Sequence, residues 1–198
     1  MQMDVYRIIQ PPFKTLDTTE MSRAEIREYY QWFINSIPER VTVLEQTVIS
    51  TKGSEKWRAD YSPDSLPQLS VWFTENISTR PRTQEEKLAM CAGGPAWFGP
   101  EALADWELTV RTFSLCVDIG MYLGEALVRN NPELKWRLIS TGSKRYVDYG
   151  RPVVGPLKVY DFNPVRGVMM IAYGTARRGY LARTLECLYD IQQERNRR

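Results

Sequence analysis

The sequence predicts a predominantly helical α+β fold: a single globular domain over residues 1–198, with a long central helix at about 107–130 packed by other helices and by a small antiparallel sheet at about 134–162. Three observations carry that expectation. The stretch from Glu107 to Asn130, ELTVRTFSLCVDIGMYLGEALVRN, keeps helical periodicity without a break. Capping-box patterns open two further helical runs. Leu134, Trp136 and Leu138 alternate with Lys135 and Arg137 as a half-buried strand does.

Taken in order, the first twenty residues are irregular, because Pro11 and Pro12 block regular structure, while Phe13 and Leu16 are available to dock on a core. Ser22-Arg23-Ala24-Glu25 is a capping box, in which serine and glutamate each satisfy a free backbone N–H at a helix start. The helix it opens runs to about Ser36 with Ile26, Tyr29, Tyr30, Phe33 and Ile37 on its apolar face and Trp32 beside it. Pro38 suits the first turn of a helix, and Val41, Leu44 and Val48 carry the spacing to about Ser50. These two runs form either an antiparallel pair or one kinked rod.

Lys52-Gly53-Ser54 reads as a turn, and residues 56–61 as a short strand or an extended link. Ser62-Pro63 then caps a helix whose face is Leu66, Leu69, Trp72, Phe73 and Ile77, with Pro67 early enough to be tolerated. Residues 79–82 are a basic linker. Thr83-Gln84-Glu85-Glu86 is the second capping box and starts a short helix near Leu88. Residues 92–100, with three glycines and two prolines, are a hinge or a loop with anchored aromatics, and lack the lysine and spacing of a phosphate loop.

Within the central helix, positions three and four apart share a face. Leu108, Leu115, Ile119, Tyr122 and Ala126 form one apolar stripe; Phe113, Cys116, Val117, Gly120, Leu123, Gly124 and Leu127 form another. Together they exceed the roughly 100° of a surface helix, so this helix is packed on most sides. Gly120 and Gly124 each cost about 1 kcal/mol against alanine in a helix, which predicts that a backbone or bulky side chain approaches there. The remaining stripe is polar: Arg111, Ser114, Asp118, Glu125 and Arg129. Asp118 and Glu125 face the same way, two turns and about 10 Å apart.

Asn130-Asn131-Pro132 ends the helix, and residues 134–138, 146–155 and 157–162 supply the strands of the small sheet. Val165 to Ala176 fits a helix or a buried strand by periodicity alone, and the Asn163-Pro164 cap favours the helix. A last helix spans Tyr180 to Glu194 before the basic tail of residues 195–198.

Composition narrows the chemistry. There is no histidine, which rules out Ser-His-Asp, Cys-His and His-ligated zinc chemistries together. Cys91, Cys116 and Cys187 are odd in number and far apart, so they read as reduced thiols. A formal net charge of +2, from 26 basic and 24 acidic residues, gives nucleic-acid binding little support, though Arg145, Arg151, Arg177, Arg178 and Arg183 with the terminal arginines are its candidate contacts. No apolar run is long enough for a signal peptide or membrane span, so the expected location is cytoplasmic, with no membrane partner.

Trp32-Phe33-Ile34-Asn35-Ser36-Ile37-Pro38-Glu39-Arg40, Tyr61-Ser62-Pro63-Asp64-Ser65-Leu66 and Asp118-Ile119-Gly120-Met121-Tyr122-Leu123-Gly124-Glu125 together resemble blocks found, in this order, in a group of small cytoplasmic proteins of Gram-positive bacteria. The resemblance covers most of the chain and implies a bacterial, cytoplasmic origin without an activity or a catalytic residue set. In size and style the chain is also similar to immunity proteins, which neutralise a cognate bacterial toxin.

The expected function is therefore non-catalytic protein binding of the immunity or antitoxin type, with a toxin as the implied partner. An aromatic content of 12%, with six tryptophans, suits it, because Trp, Tyr and Arg dominate binding hot spots. The expected binding residues are Asp118, Tyr122, Glu125 and Arg111, with Asp118, Tyr122 and Glu125 on the floor of any pocket; no catalytic residue, cofactor or metal ligand set is assigned. The alternative is a small-molecule or metal-binding enzyme in which the Asp118 and Glu125 carboxylates act and Arg111 or Tyr122 orients the substrate. Against both stands a structural account, in which Arg111 and Arg129 neutralise the two acids.

Overall fold

Arg23–Ile49 forms α1, a helix of 27 residues that continues unbroken through Pro38. The computed structural model describes residues 6–92, 99–157, 160–178 and 184–197. The antiparallel pair is excluded, and the reason lies in register. Phe33, Ile37, Val41, Leu44 and Val48 are all buried, so one stripe continues in step across the proline. Burying five apolar side chains at about 1.5–3 kcal/mol each outweighs the roughly 3 kcal/mol of an internal proline. At the start of α1 the Ser22 hydroxyl accepts from Glu25 N at 3.2 Å while the Glu25 carboxylate accepts from Ser22 N at 2.8 Å.

A 3-10 turn, Pro63–Ser65, leads into α2, Leu66–Glu75, and residues 56–61 before it form an irregular link rather than a strand. Thr79–Pro81, expected as a linker, is a short strand, β1. It is followed by α3, Gln84–Cys91, which carries the second capping box. Trp106–Leu108 is β2 and pairs antiparallel with β1, Thr79 opposite Leu108 and Pro81 opposite Trp106. Residues 93–98, the core of the glycine- and proline-rich loop, lie outside the described residues.

The central helix, α4, spans Val110–Asn130, starting after β2 with Thr109 as its cap. It packs on α1, on α5 (Pro164–Arg178), on α6 (Leu185–Arg197) and on a second antiparallel pair. That pair is β3, Lys135–Leu138, with β4, Pro152–Gly155. The expected third strand contributes a single bridge, Val154 to Phe162. Both α4 glycines meet the close approach that their cost predicted. A Cβ on Gly120 would sit 2.6 Å from Val165 Cα in α5, and one on Gly124 would collide with the Trp136 indole of β3. The packed face of α4 supplies Leu115, Ile119, Tyr122, Leu123 and Leu127 to a core shared by α1, α2, α5 and α6.

Candidate functional site

The α4 stripe that the sequence marks as polar is not a solvent face. Asp118 is fully buried, because α1 and the N-terminal segment cover it. Arg40 of α1 meets it as a two-pronged fork, Nε to Oδ1 at 2.8 Å and Nη2 to Oδ2 at 2.7 Å. The Tyr6 hydroxyl donates to Oδ2 at 2.6 Å and lies 2.6 Å from Ser114 Oγ. Ser114 Oγ accepts from Ile9 N at 2.8 Å, and Arg40 Nη2 donates to Arg7 O at 2.8 Å. Residues 6–9 are thereby stitched to α1 and α4. Burial is the largest influence on the Asp118 carboxyl and raises its pKa, while the Arg40 guanidinium and the Tyr6 hydroxyl pull it down. Burial lowers the pKa of Arg40, but its bonds and charge contact with Asp118 prevail and raise it. Burial also pushes the Cys116 thiol up to about 12, which removes it as a nucleophile at neutral pH.

The neutraliser of Asp118 is therefore Arg40, 78 residues away, and not Arg111. The Arg111 guanidinium sits 5.5 Å from the centre of the Tyr6 ring, on the same network. Sequence reading gave Tyr6 and Arg40 no part in the site. Neither carried a local signal, since the contacts join distant parts of the chain.

Tyr122 is buried one turn along. Its hydroxyl accepts from Tyr61 N at 3.0 Å and lies 2.6 Å from Ser65 Oγ, and burial pushes its pKa up to about 12. Tyr61 has a φ of +62°, a left-handed conformation that bulky residues seldom adopt. It is held there by a stack on Tyr122 with centroids 5.2 Å apart, by Asn130 Nδ2 on its carbonyl at 2.8 Å, and by Arg129, whose guanidinium lies 3.7 Å above its ring. Glu125 accepts from Arg129 Nε at 3.1 Å, as the i, i+4 spacing predicts, and from Trp136 Nε1 at 2.9 Å. Asp118 and Glu125 thus share no partner, and the common pocket floor expected of Asp118, Tyr122 and Glu125 gives way to three separately bonded groups. Among the described residues, no three Cys, Asp or Glu side chains gather in a way that would hold a metal ion.

The accessible chemistry lies on α5. Between α5, α6 and residues 160–163 runs a cleft of about 560 Å³, within the roughly 300–1,000 Å³ typical of ligand sites. Phe162, Ile171 and Leu188 give it an apolar lining, while Met170, Tyr173 and Tyr160 are 63%, 36% and 45% exposed along it. Arg166, Arg177 and Arg195 line it as well, and among the described residues no carboxylate does. Arg195 lies 4.6 Å from the centre of the Tyr160 ring.

No protein-family model, curated protein or solved structure matches this chain.

Tyr173 is fixed by its neighbours: its hydroxyl donates to Glu107 Oε1 at 2.6 Å, and its ring packs 6.0 Å from Trp106 and 6.3 Å from Phe113. A second, apolar cleft of about 280 Å³ opens beside the N-terminal segment, where Ile8, Leu16 and Val110 are exposed over Trp32, Phe113 and Met169. The arrangement around α5 was partly legible. Arg166, Met170, Tyr173 and Arg177 fall at helical spacing on one face, but a mixed Arg, Met and Tyr face resembles neither an apolar stripe nor a polar one. Of the arginines singled out for nucleic acid, Arg177 and Arg195 line this cleft; Arg183 and Arg198 lie outside the described residues.

Proposed function

We propose that this is a non-catalytic binding protein of the immunity or antitoxin type, which occludes a partner protein with the outer face of α5 and its surroundings. The observation that carries the reading is the exposed Met170, Tyr173 and Tyr160 set among arginines. Tyr and Arg are the residues that dominate interface hot spots, and exposed Met adapts its shape to a partner. Tyr173 is already locked by Glu107, Trp106 and Phe113, so binding would freeze little further motion there. The α4 residues Asp118, Tyr122 and Glu125 then serve as scaffold: they hold the N-terminal segment, the link before α2 and β3 in place behind this face.

The test is affinity capture of tagged protein from its own host's lysate, followed by hydrogen exchange on the isolated complex. The expected result is one stoichiometric protein partner, slowed exchange over residues 164–177, and loss of the partner in Met170→Glu, a change at an exposed site that leaves the fold intact. A chain that captures no protein, or a complex that survives Met170→Glu with its protected amides elsewhere, removes the proposal. No helix among the described residues is long and apolar enough to cross a membrane.

A further inference from the structure

We infer that the cleft between α5 and α6 takes an acidic amphipathic segment of a partner protein, apolar side chains down on Phe162, Ile171 and Leu188, carboxylates out to Arg177 and Arg195. The inference rests on the protein-binding reading above and names the chemistry of the segment that makes contact.

Charge comes first. Arg166, Arg177 and Arg195 line the cleft and no acid does. Arg166 is partly answered from within, since its Nη2 lies 2.9 Å from Oδ2 of the buried Asp148. Arg177 and Arg195 reach no carboxylate within salt-bridge distance among the described residues. Among the described residues, these two positive charges in the cleft meet no carboxylate, in a chain whose formal charge is only +2.

Shape decides between a compact anion and a segment. Arg166 and Arg177 bound the α5 wall eleven residues apart, which is about 16 Å along the helix at ~1.5 Å per residue. A single phosphate would fill one end and leave the middle of the cleft uncovered, where exposed Met170 lies beside the largely buried Ile171 and Leu188. A helix or extended strand of a partner can span the whole length and place acids at both ends, which is the helix-in-groove mode of recognition.

Preorganisation favours the same occupant. Arg195 Cζ lies over the Tyr160 ring, 4.6 Å from its centre, and Arg195 Nη1 also reaches Gln192 Oε1 at 3.4 Å. A guanidinium already held by its neighbours loses less freedom on meeting a carboxylate.

The probe is a fluorescein-labelled amphipathic peptide of about 16 residues, roughly 24 Å when helical. It carries leucines on one face and glutamates on the flanks, and is compared with a twin in which every Glu is Lys. Fluorescence anisotropy at low salt is expected to show the Glu peptide binding about tenfold or more tighter than its twin, with affinity falling as salt rises. The double variant Arg177→Glu/Arg195→Glu should lose about tenfold or more, whereas Lys52→Glu/Lys56→Glu, an equal charge change away from the cleft, should lose under about threefold.

Equal binding of the two peptides overturns the inference, as does equal loss in the two double variants, which would mark a general charge effect. Saturation by ATP or by a short single-stranded oligonucleotide, without preference between the peptides, overturns it in favour of a phosphate ligand. In the captured native complex, protection of the cleft by a segment without acidic residues also overturns it. A selective Glu peptide with no native partner sustains the cleft chemistry while removing the protein-binding reading beneath it, so the two failures are distinct.

Discussion

Arg40 and Arg195 are both held against a tyrosine ring, 5.7 Å from the centre of Tyr6 and 4.6 Å from that of Tyr160, yet the two regions use the charge in opposite ways. Around Arg40 the Nε and Nη2 donors are spent inside the molecule, on Asp118, Tyr6 and the Arg7 carbonyl, and the residue is buried. Around Arg195 the guanidinium lies along an accessible cleft where no acid among the described residues meets it. A satisfied arginine in a dry site contributes order to the fold, because any rearrangement strands a charge. An unsatisfied arginine at a wet cleft contributes little to the fold and is available to a partner. Motif reading weighs both residues alike; their surroundings separate them.

The largest expected effect falls on the buried side. Arg40→Met leaves Asp118 without its counter-charge, and Asp118→Asn strands the guanidinium; loss of one partner of a buried pair costs about 3–5 kcal/mol. Urea unfolding is expected to show a loss of that size for either variant, while the double variant Arg40→Met/Asp118→Leu, which removes both charges, regains part of it. A single-variant loss below about 1 kcal/mol would mean that water reaches the pair, and the contrast with the cleft would collapse.

Next in size is a sign reversal at Gly120. Inside a helix, Gly→Ala ordinarily stabilises by about 1 kcal/mol. Here the new methyl meets the Val165 backbone at 2.6 Å, which cannot rotate away as a side-chain tip can. Gly120→Ala is expected to lose about 1–3 kcal/mol, as overpacked cores do. A stabilised variant would show that α4 and α5 separate freely, and the α5 face would then lack the rigid backing proposed for it.

The same buried region shows what sequence conveys and what it does not. Periodicity placed α4 and α2, the Asn163-Pro164 cap placed α5 where periodicity alone did not decide, and the glycine cost correctly implied a close approach, because these are local signals. Glu125 with Arg129 was equally legible as a neighbouring pair on one helix. Asp118 was not. Its helical position matches that of a solvent-facing acid, and only the arrival of α1 and residues 6–9 buries it. Pro38 misled for a related reason: its local preference is to begin a helix, but the register of the buried stripe overrides it. The three-residue strand β1 contains a proline and has no room to display alternation.

Charge reversal in the cleft should leave the fold nearly untouched. Arg177→Glu/Arg195→Glu removes no internal salt bridge, so unfolding free energy is expected to stay within about 0.5 kcal/mol of the parent, the range of ordinary surface changes. A larger loss would place these arginines with Arg40, as parts of the scaffold.

Between the two extremes stands Arg80, an arginine paired at the surface. Its Nη1 and Nη2 donate to the two oxygens of Glu86 at 2.9 and 2.6 Å, joining β1 to the first turn of α3. Glu86 also accepts from Thr83 N at 2.8 Å as the far half of the capping box. The Arg80 bonds first, and the Thr83 N–H second, hold its pKa at about 2, against an ordinary 4.5. A pKa lowered in the folded state means that the unfolded chain binds the proton more readily. The stabilisation is therefore complete above about pH 4.5 and is lost as pH falls through about 2. Carbon-13 NMR of the Glu86 carboxyl is expected to show a midpoint near the bottom of that window, and Arg80→Ala should move it up toward the ordinary value. The residual depression in Arg80→Ala isolates what the capping N–H contributes alone. If Arg80→Ala left the midpoint unchanged, the surface pair would be electrostatically idle, and a guanidinium would need burial, as Arg40 has, before it governs a carboxylate in this fold.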